Sequence, residues 1–367
     1  MPPWMTWHLA IELAFVAVLL MVLPRFIRRG LLYGVYVGER DADSELAQAA
    51  HRTWYATMLA ACALAVAVFA AGGAAGAPEI GHAASILLLV AGVLLAYVRA
   101  HRVALPLAVA GEPAPEAPLA GAPLGSSVLP LIAMAAALAL GGAALLYGIA
   151  QYPTLPERIP VHFGGNGLPD GWDDRSPGAA LALPLMGIVL GGFTALFAWL
   201  IAHGRRSLRD TTDSAAVEAQ DRFRLATARF LAAISVAVTG LMSWMGFRQI
   251  EVARGARQGL GAAPLVGGLG LAVLSLFGVV YLLARYGQGG AMLEGRTASA
   301  PLTDGLADNR KWKLWGSIYV NRADPSIFVE KRFGLGYTIN FGNPTAIWLF
   351  AGFAVAMVGV TLFALLG

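Results

Sequence analysis

Long apolar stretches, separated by short polar ones, set the pattern of this chain. A bilayer core of about 30 Å takes roughly 20 apolar helical residues to cross, because lipid offers backbone polar groups no partner and a helix satisfies its own. Eight stretches meet that demand: 7–23, 54–72, 83–100, 128–149, 179–202, 230–247, 264–284 and 346–366. Glycines such as Gly187, Gly191 and Gly192, or Gly267, Gly268 and Gly270, fall where neighbouring helices approach closely. No basic residues precede the first stretch, and Pro24 to Arg29 follows it where a small-residue cleavage site would be needed. A retained helix is expected there.

Between the last two stretches the pattern changes period. Trp315-Gly-Ser-Ile-Tyr319-Val, Ile327-Phe-Val329 and Gly336-Tyr-Thr338-Ile-Asn340 alternate as strands do, with turn chemistry at Asn321, Asp324, Pro325, Gly334 and Gly336. A two- or three-stranded meander is predicted. So small a sheet is not stable alone, so Trp312, Trp315, Phe328, Phe333 and Tyr337 are expected to lean on helices or on the lipid interface. Segment 103–127 contains Glu112-Pro-Ala-Pro-Glu-Ala-Pro118 and reads as a semi-extended linker. Asp213 or Ser214 caps a helix that runs ahead of the sixth span.

The predicted class is an all-α integral membrane protein, about eight transmembrane helices with a small β meander before the last. Its parts are a three-helix region (1–105), a Pro/Ala-rich linker (106–127), a four-helix region (128–285) with a motif loop at 150–178, a small β domain (286–345) and a last helix (346–367).

Composition excludes a water-soluble enzyme: 57% of residues are hydrophobic and 13% charged, against about 25% charged in ordinary domains. Cys62 is the single cysteine, so an internal disulfide framework and a Cys-based metal cluster are excluded. Of 26 basic residues, 21 fall in one set of alternate connections, and only Arg158, Arg175, Arg248, Arg254 and Arg257 in the other. Basic loops stay cytoplasmic, so both termini and the 150–178 loop are expected outside, and the linker and β domain inside. The net charge of +4 reads as topology and headgroup contact, and nucleic acid is not an expected partner.

The outer loop carries Tyr152-Pro, Leu155-Pro156, Ile159-Pro160, His162-Phe163, Asn166-Gly167 and Asp170-Gly171-Trp172, followed by Asp173 and Asp174. Prolines hold it extended and glycines allow turns, so it reads as a specified loop without helical structure. That spacing resembles the extracytoplasmic domain of unknown function found in bacterial membrane immunity proteins against the sporulation-delaying toxin and in many bacterial relatives. Tyr33-Gly-Val-Tyr-Val is similar to a short cytoplasmic segment of the same group. The run from Trp312 through Tyr319, Asn321, Asp324-Pro325, Phe328-Val329, Lys331-Arg-Phe-Gly334 and Asn340-Phe-Gly resembles a small C-terminal cytoplasmic domain, also of unknown function, that often accompanies it. The resemblance implies a multi-pass protein of the bacterial inner membrane and carries no catalytic residue.

Candidate ligand-binding residues are Tyr152, His162, Asn166, Asp170, Trp172 and Asp173 in the loop, with His8, Glu12 and Arg248. His162, Asp170, Asp173 and Asp174 offer donors a divalent cation accepts, though their spacing matches no standard site. The same groups also make turn and capping bonds, or directional contacts to a docked peptide with Trp172 and Tyr152 as anchors. Glu12 lies inside a span with His8 one turn earlier, and intramembrane ionisable groups mark pathways or buried pairs. No zinc helix and no nucleophile with its base is present among these residues, so an enzyme is not expected and no cofactor is implied.

The functional expectation is a membrane protein that binds or senses an extracytoplasmic ligand, such as a peptide, and signals to cytoplasmic elements or a protein partner there. The alternative is a transporter or flippase using Glu12 in an outward-facing polar cavity.

Overall fold

The computed structural model describes residues 3–109, 128–164, 166–204, 214–293 and 304–366, without the side chains of residues 3–9, 11, 12, 79, 214, 216, 263, 265, 304 and 305. Its helices are α1 (Pro3–Val22), α2 (Glu45–Ala74), α3 (Pro78–Ala104), α4 (Val128–Gln151), α5 (Pro177–His203), α6 (Ser214–Ala253), α7 (Ala263–Tyr286), α8 (Asp304–Ala307) and α9 (Pro344–Leu366). Among the described residues, seven of these, α2 to α7 and α9, are long and apolar enough to cross a membrane. α1 is a further helix of 20 residues where the first span is expected. The chain is an all-α multi-pass membrane protein. Most of the linker lies outside the described residues, as does Asp213.

Helix starts follow local chemistry. The Ser44 hydroxyl accepts from the Ala47 N–H at 3.3 Å to cap α2, and Ser176 accepts from Ala179 at 3.0 Å to cap α5. Pro78 and Pro177 occupy first-turn positions, where a missing N–H costs nothing.

One compact unit joins Met1–Pro118, Arg206–Gln220 and Leu283–Gly342. Within it, strands β1 (Leu31–Leu32) and β2 (Val35–Tyr36) form a tight hairpin whose turn holds Tyr33 at φ 45° and Gly34 at φ 83°. Tyr33 is buried against Trp54 and Phe333, with ring centroids 5.4 and 5.5 Å away, and Phe333 also meets Trp54 at 5.2 Å and Tyr97 at 4.8 Å. Phe333 therefore leans on helices, as expected of it. The Tyr33 hydroxyl bonds His51 Nδ1 at 2.9 Å, and its carbonyl bonds His101 Nδ1 at 2.8 Å. Burial pushes the Tyr33 hydroxyl above its ordinary pKa.

In the same unit the expected meander is instead two hairpins. β5 (Trp312–Lys313) pairs with β6 (Ile318–Tyr319), β7 (Phe328–Glu330) pairs with β8 (Tyr337–Ile339), and a parallel bridge from Tyr319 to Asn340 joins them. Trp315 is not in a strand: Leu314, Trp315 and Gly316 take φ of 46°, 56° and 79° and form the first turn.

Arg332 is 1% exposed and joins these pieces. Its Nε and Nη2 donate to the Leu306 carbonyl at 2.9 and 2.6 Å, and its Nη1 donates to the Gly34 carbonyl at 3.0 Å and Asn309 Oδ1 at 2.6 Å. The guanidinium carbon lies 4.9 Å from the centre of the Trp312 ring. Burial lowers its pKa to about 9, which keeps it charged at neutral pH. Beside it, Gln220 on the first turns of α6 donates to buried Glu330 at 2.8 Å.

The second compact unit joins Leu119–Arg205, Asp221–Leu282 and Asn343–Gly367. Here α5 packs through small residues and hydroxyls. Ser235 donates to the Gly191 carbonyl at 2.7 Å and Thr239 to the Gly187 carbonyl at 3.0 Å, close approaches that side chains at those glycines would block. Phe193 of α5 stacks on Phe353 of α9 at 4.0 Å.

Candidate functional site

The motif loop is extended, as its prolines suggest, and its two arms pair as strands. A short 3-10 turn (Tyr152–Thr154) leads into β3 (Arg158–Phe163) and β4 (Pro169–Asp174), an antiparallel hairpin with an irregularity around His162. A two-stranded ribbon has only edges, so Pro160 and Pro169 are tolerated within it. The turn is built by Gly167 at φ 74°, whose N–H donates to the Gly164 carbonyl at 2.8 Å, and by Asn166, whose side-chain oxygen accepts from the Leu168 N–H at 3.0 Å.

The hairpin is fastened on one side. Ile159 and Leu155 are buried with Ala179, Ala180, Leu181 and Ile250. Gln249 of α6, 3% exposed, donates from Nε2 to the carbonyls of Pro160 and Ala179, both at 2.9 Å. Arg175 donates to the Leu155 carbonyl at 2.8 Å while its guanidinium lies 5.7 Å from the Tyr152 ring centre. At the tip, the Leu260 N–H donates to the Gly167 carbonyl at 2.7 Å. A side chain at Gly167 would strike the Gly261 carbonyl.

The other side is open and carries the polar pair. His162 Nδ1 lies 2.5 Å from Asp170 Oδ1, with side chains 73% and 54% exposed. Gly171 sits opposite His162 in the register, and a Cβ there would press on the His162 Cβ. With the carboxylate accepting from Nδ1–H, the neutral imidazole presents Nε2 as an acceptor, and the protonated ring presents it as a donor. Trp172, two residues along β4 from Asp170, is 43% exposed. An oriented imidazole and an exposed indole on one hairpin offer a directional polar contact and an apolar anchor to a docked chain.

The remaining candidates are engaged in other contacts. Asn166 spends its carbonyl on the turn, Asp173 Oδ1 accepts from the Asp174 N–H at 2.9 Å, and Tyr152 packs under Arg175. Arg248 bonds Glu251 at 2.7 Å, and its guanidinium lies 5.3 Å from the Trp244 ring centre. The side chains of His8 and Glu12 lie outside the described residues. Among the described residues no three His, Cys, Asp or Glu side chains gather as a metal site. Sequence reasoning missed Gln249, which no local pattern distinguishes from any glutamine near a helix end.

Residues 139–188, from within α4 through the hairpin into α5, match a domain of unknown function (DUF1648). Residues 322–347, covering β7 and β8 and the start of α9, match a family of unknown function (DUF5808). No curated protein and no solved structure matches the chain.

Proposed function

We propose that this chain is a membrane receptor that binds an extracytoplasmic peptide on the open face of the β3–β4 hairpin, in a role like that of the immunity proteins whose motif it resembles. The observation that carries the reading is the exposed, carboxylate-oriented His162, with Trp172 exposed on the same hairpin, which is anchored on one side. An exposed pair of this kind contributes at most about 1 kcal/mol to the fold, so its removal tests binding without unfolding the hairpin. The distribution of basic residues supports placing this face outside.

α6 is the element that would pass occupancy to cytoplasmic elements. Its Gln249 bonds the Pro160 carbonyl of β3, and its Gln220 bonds Glu330 of β7. A ligand that pulls on the hairpin would act on α6 through Gln249. The coupling is as large as the ligand's differential affinity for the two states.

A fluorescent random-peptide library screened against the full chain in nanodiscs tests this. Binders are expected to weaken about tenfold or more in both His162→Ala and Asp170→Ala, the loss of one charge-assisted contact. Equal binding in both variants removes the hairpin from the reading.

A further inference from the structure

Apart from the hairpin, α6 and α7 leave a cavity of about 380 Å³ between them, lined by Ala237, Leu241 and Trp244 of α6 and by Gly267, Gly270, Leu271 and Leu274 of α7. The lining is apolar, and it lies on helices long and apolar enough to be in lipid. Its shape comes from glycine: Gly267 brings Leu241 close, while at Gly270 a Cβ would meet nothing within 4 Å.

The α6 lining residues recur at steps of four and three, and the next position on that face is Arg248. Its guanidinium carbon lies 5.3 Å from the Trp244 ring centre. Arg248 and Arg257 share a single carboxylate, Glu251, at 2.7 and 2.9 Å. Two cations on one anion leave surplus positive charge where α6 ends at Ala253, the level at which indoles and headgroups meet.

An apolar groove that includes an indole and has an incompletely neutralised guanidinium next along the α6 face has the polarity of a single lipid. We infer that this groove seats one acyl chain of an anionic membrane phospholipid, with its phosphate against Arg248. A transmembrane helix of another protein would fill the apolar part equally well, but would leave the excess charge unanswered unless it carried an acid at that depth, which is costly. A phosphodiester is already present there as an anion and accepts guanidinium hydrogen bonds in the geometry Arg offers.

Native mass spectrometry of the full chain, delipidated in detergent and titrated with phosphatidylglycerol or phosphatidylcholine, tests the inference. Wild type is expected to hold one phosphatidylglycerol in preference to phosphatidylcholine by about fivefold or more, the effect of one basic group near an anionic headgroup. Arg248→Gln should abolish that preference while Arg248→Lys keeps most of it. Gly270→Leu, which fills open space, should reduce retention of both lipids. Equal retention of the two lipids by wild type overturns the inference, and so does an unaltered preference in Arg248→Gln. A protein dimer lost in Gly270→Leu assigns the groove to a second copy and also overturns it. Should Gly270→Leu not fold, the Arg248 variants decide alone.

Discussion

Gln249 donates from one buried side-chain nitrogen to the carbonyl of Pro160, 2.9 Å away, and that bond ties β3 to α6. The same nitrogen donates to Ala179 at the start of α5. Two helices and the hairpin thus meet at a single amide. Replacing it with Leu keeps the volume and removes both bonds, so Gln249→Leu is expected to destabilise the second unit by about 2 kcal/mol. Denaturant unfolding in detergent measures the loss, and hydrogen exchange should rise across 158–174. Unchanged exchange there would show that the hairpin stands without this anchor.

Two glycines with the same backbone angle predict different outcomes. Gly167 and Gly255 both have φ of 74°, so alanine strains either by about 1 kcal/mol. Only at Gly167 does the added carbon also strike backbone, at the Gly261 carbonyl, while at Gly255 it meets nothing. Gly167→Ala is expected to break the Leu260 N–H bond at the hairpin tip and Gly255→Ala to leave it. Exchange of the Leu260 amide distinguishes the two, and equal rates contradict the geometry.

Arg332 answers two backbone carbonyls and Asn309 at once from a planar fork. A lysine cannot reproduce that fork, so Arg332→Lys is expected to cost roughly 2–4 kcal/mol by leaving buried acceptors unmet. Limited proteolysis of 304–342 should become faster. A variant as resistant as wild type would mean that the carbonyls find other donors.

The pH response of the same region follows from Asp308. Its carboxyl is held below the ordinary range, first by the hydrogen bond from Arg310 at 3.0 Å. A carboxyl lower in the folded than in the unfolded chain contributes stability above its unfolded pKa of about 3.9, and that contribution fades as pH falls through the folded value. The contribution is small, since Arg310 is 85% exposed and water screens the pair. Asp308→Asn is expected to flatten the acid limb of the stability curve below about pH 4. A limb of unchanged slope would assign the acid response to other carboxyls.

The spans were legible because lipid imposes one length and one composition on whatever crosses it. The hairpin was legible in position but not in form. Its strands read RIPVHF and PDGWDD, with prolines and aspartates that strands disfavour, and pairing is imposed by the Asn166-Gly167 turn and by Gln249 from α6. His162 and Asp170 were legible as candidates, while their pairing depended on register and on the small residue at Gly171. Glu330, Arg332 and Gln220 look in sequence like ordinary surface polar residues. Their burial comes from partners 23 to 298 residues away, which no local pattern encodes.

The account depends most on the hairpin facing outside while the β5–β8 segment faces the cytoplasm. In a Cys62→Ser background, Trp172→Cys and Lys313→Cys place single thiols at exposed positions on each. A membrane-impermeant maleimide applied to intact cells is predicted to label the cysteine at 172 and to reach that at 313 only after permeabilisation. Labelling at 313 with protection at 172 would contradict the account.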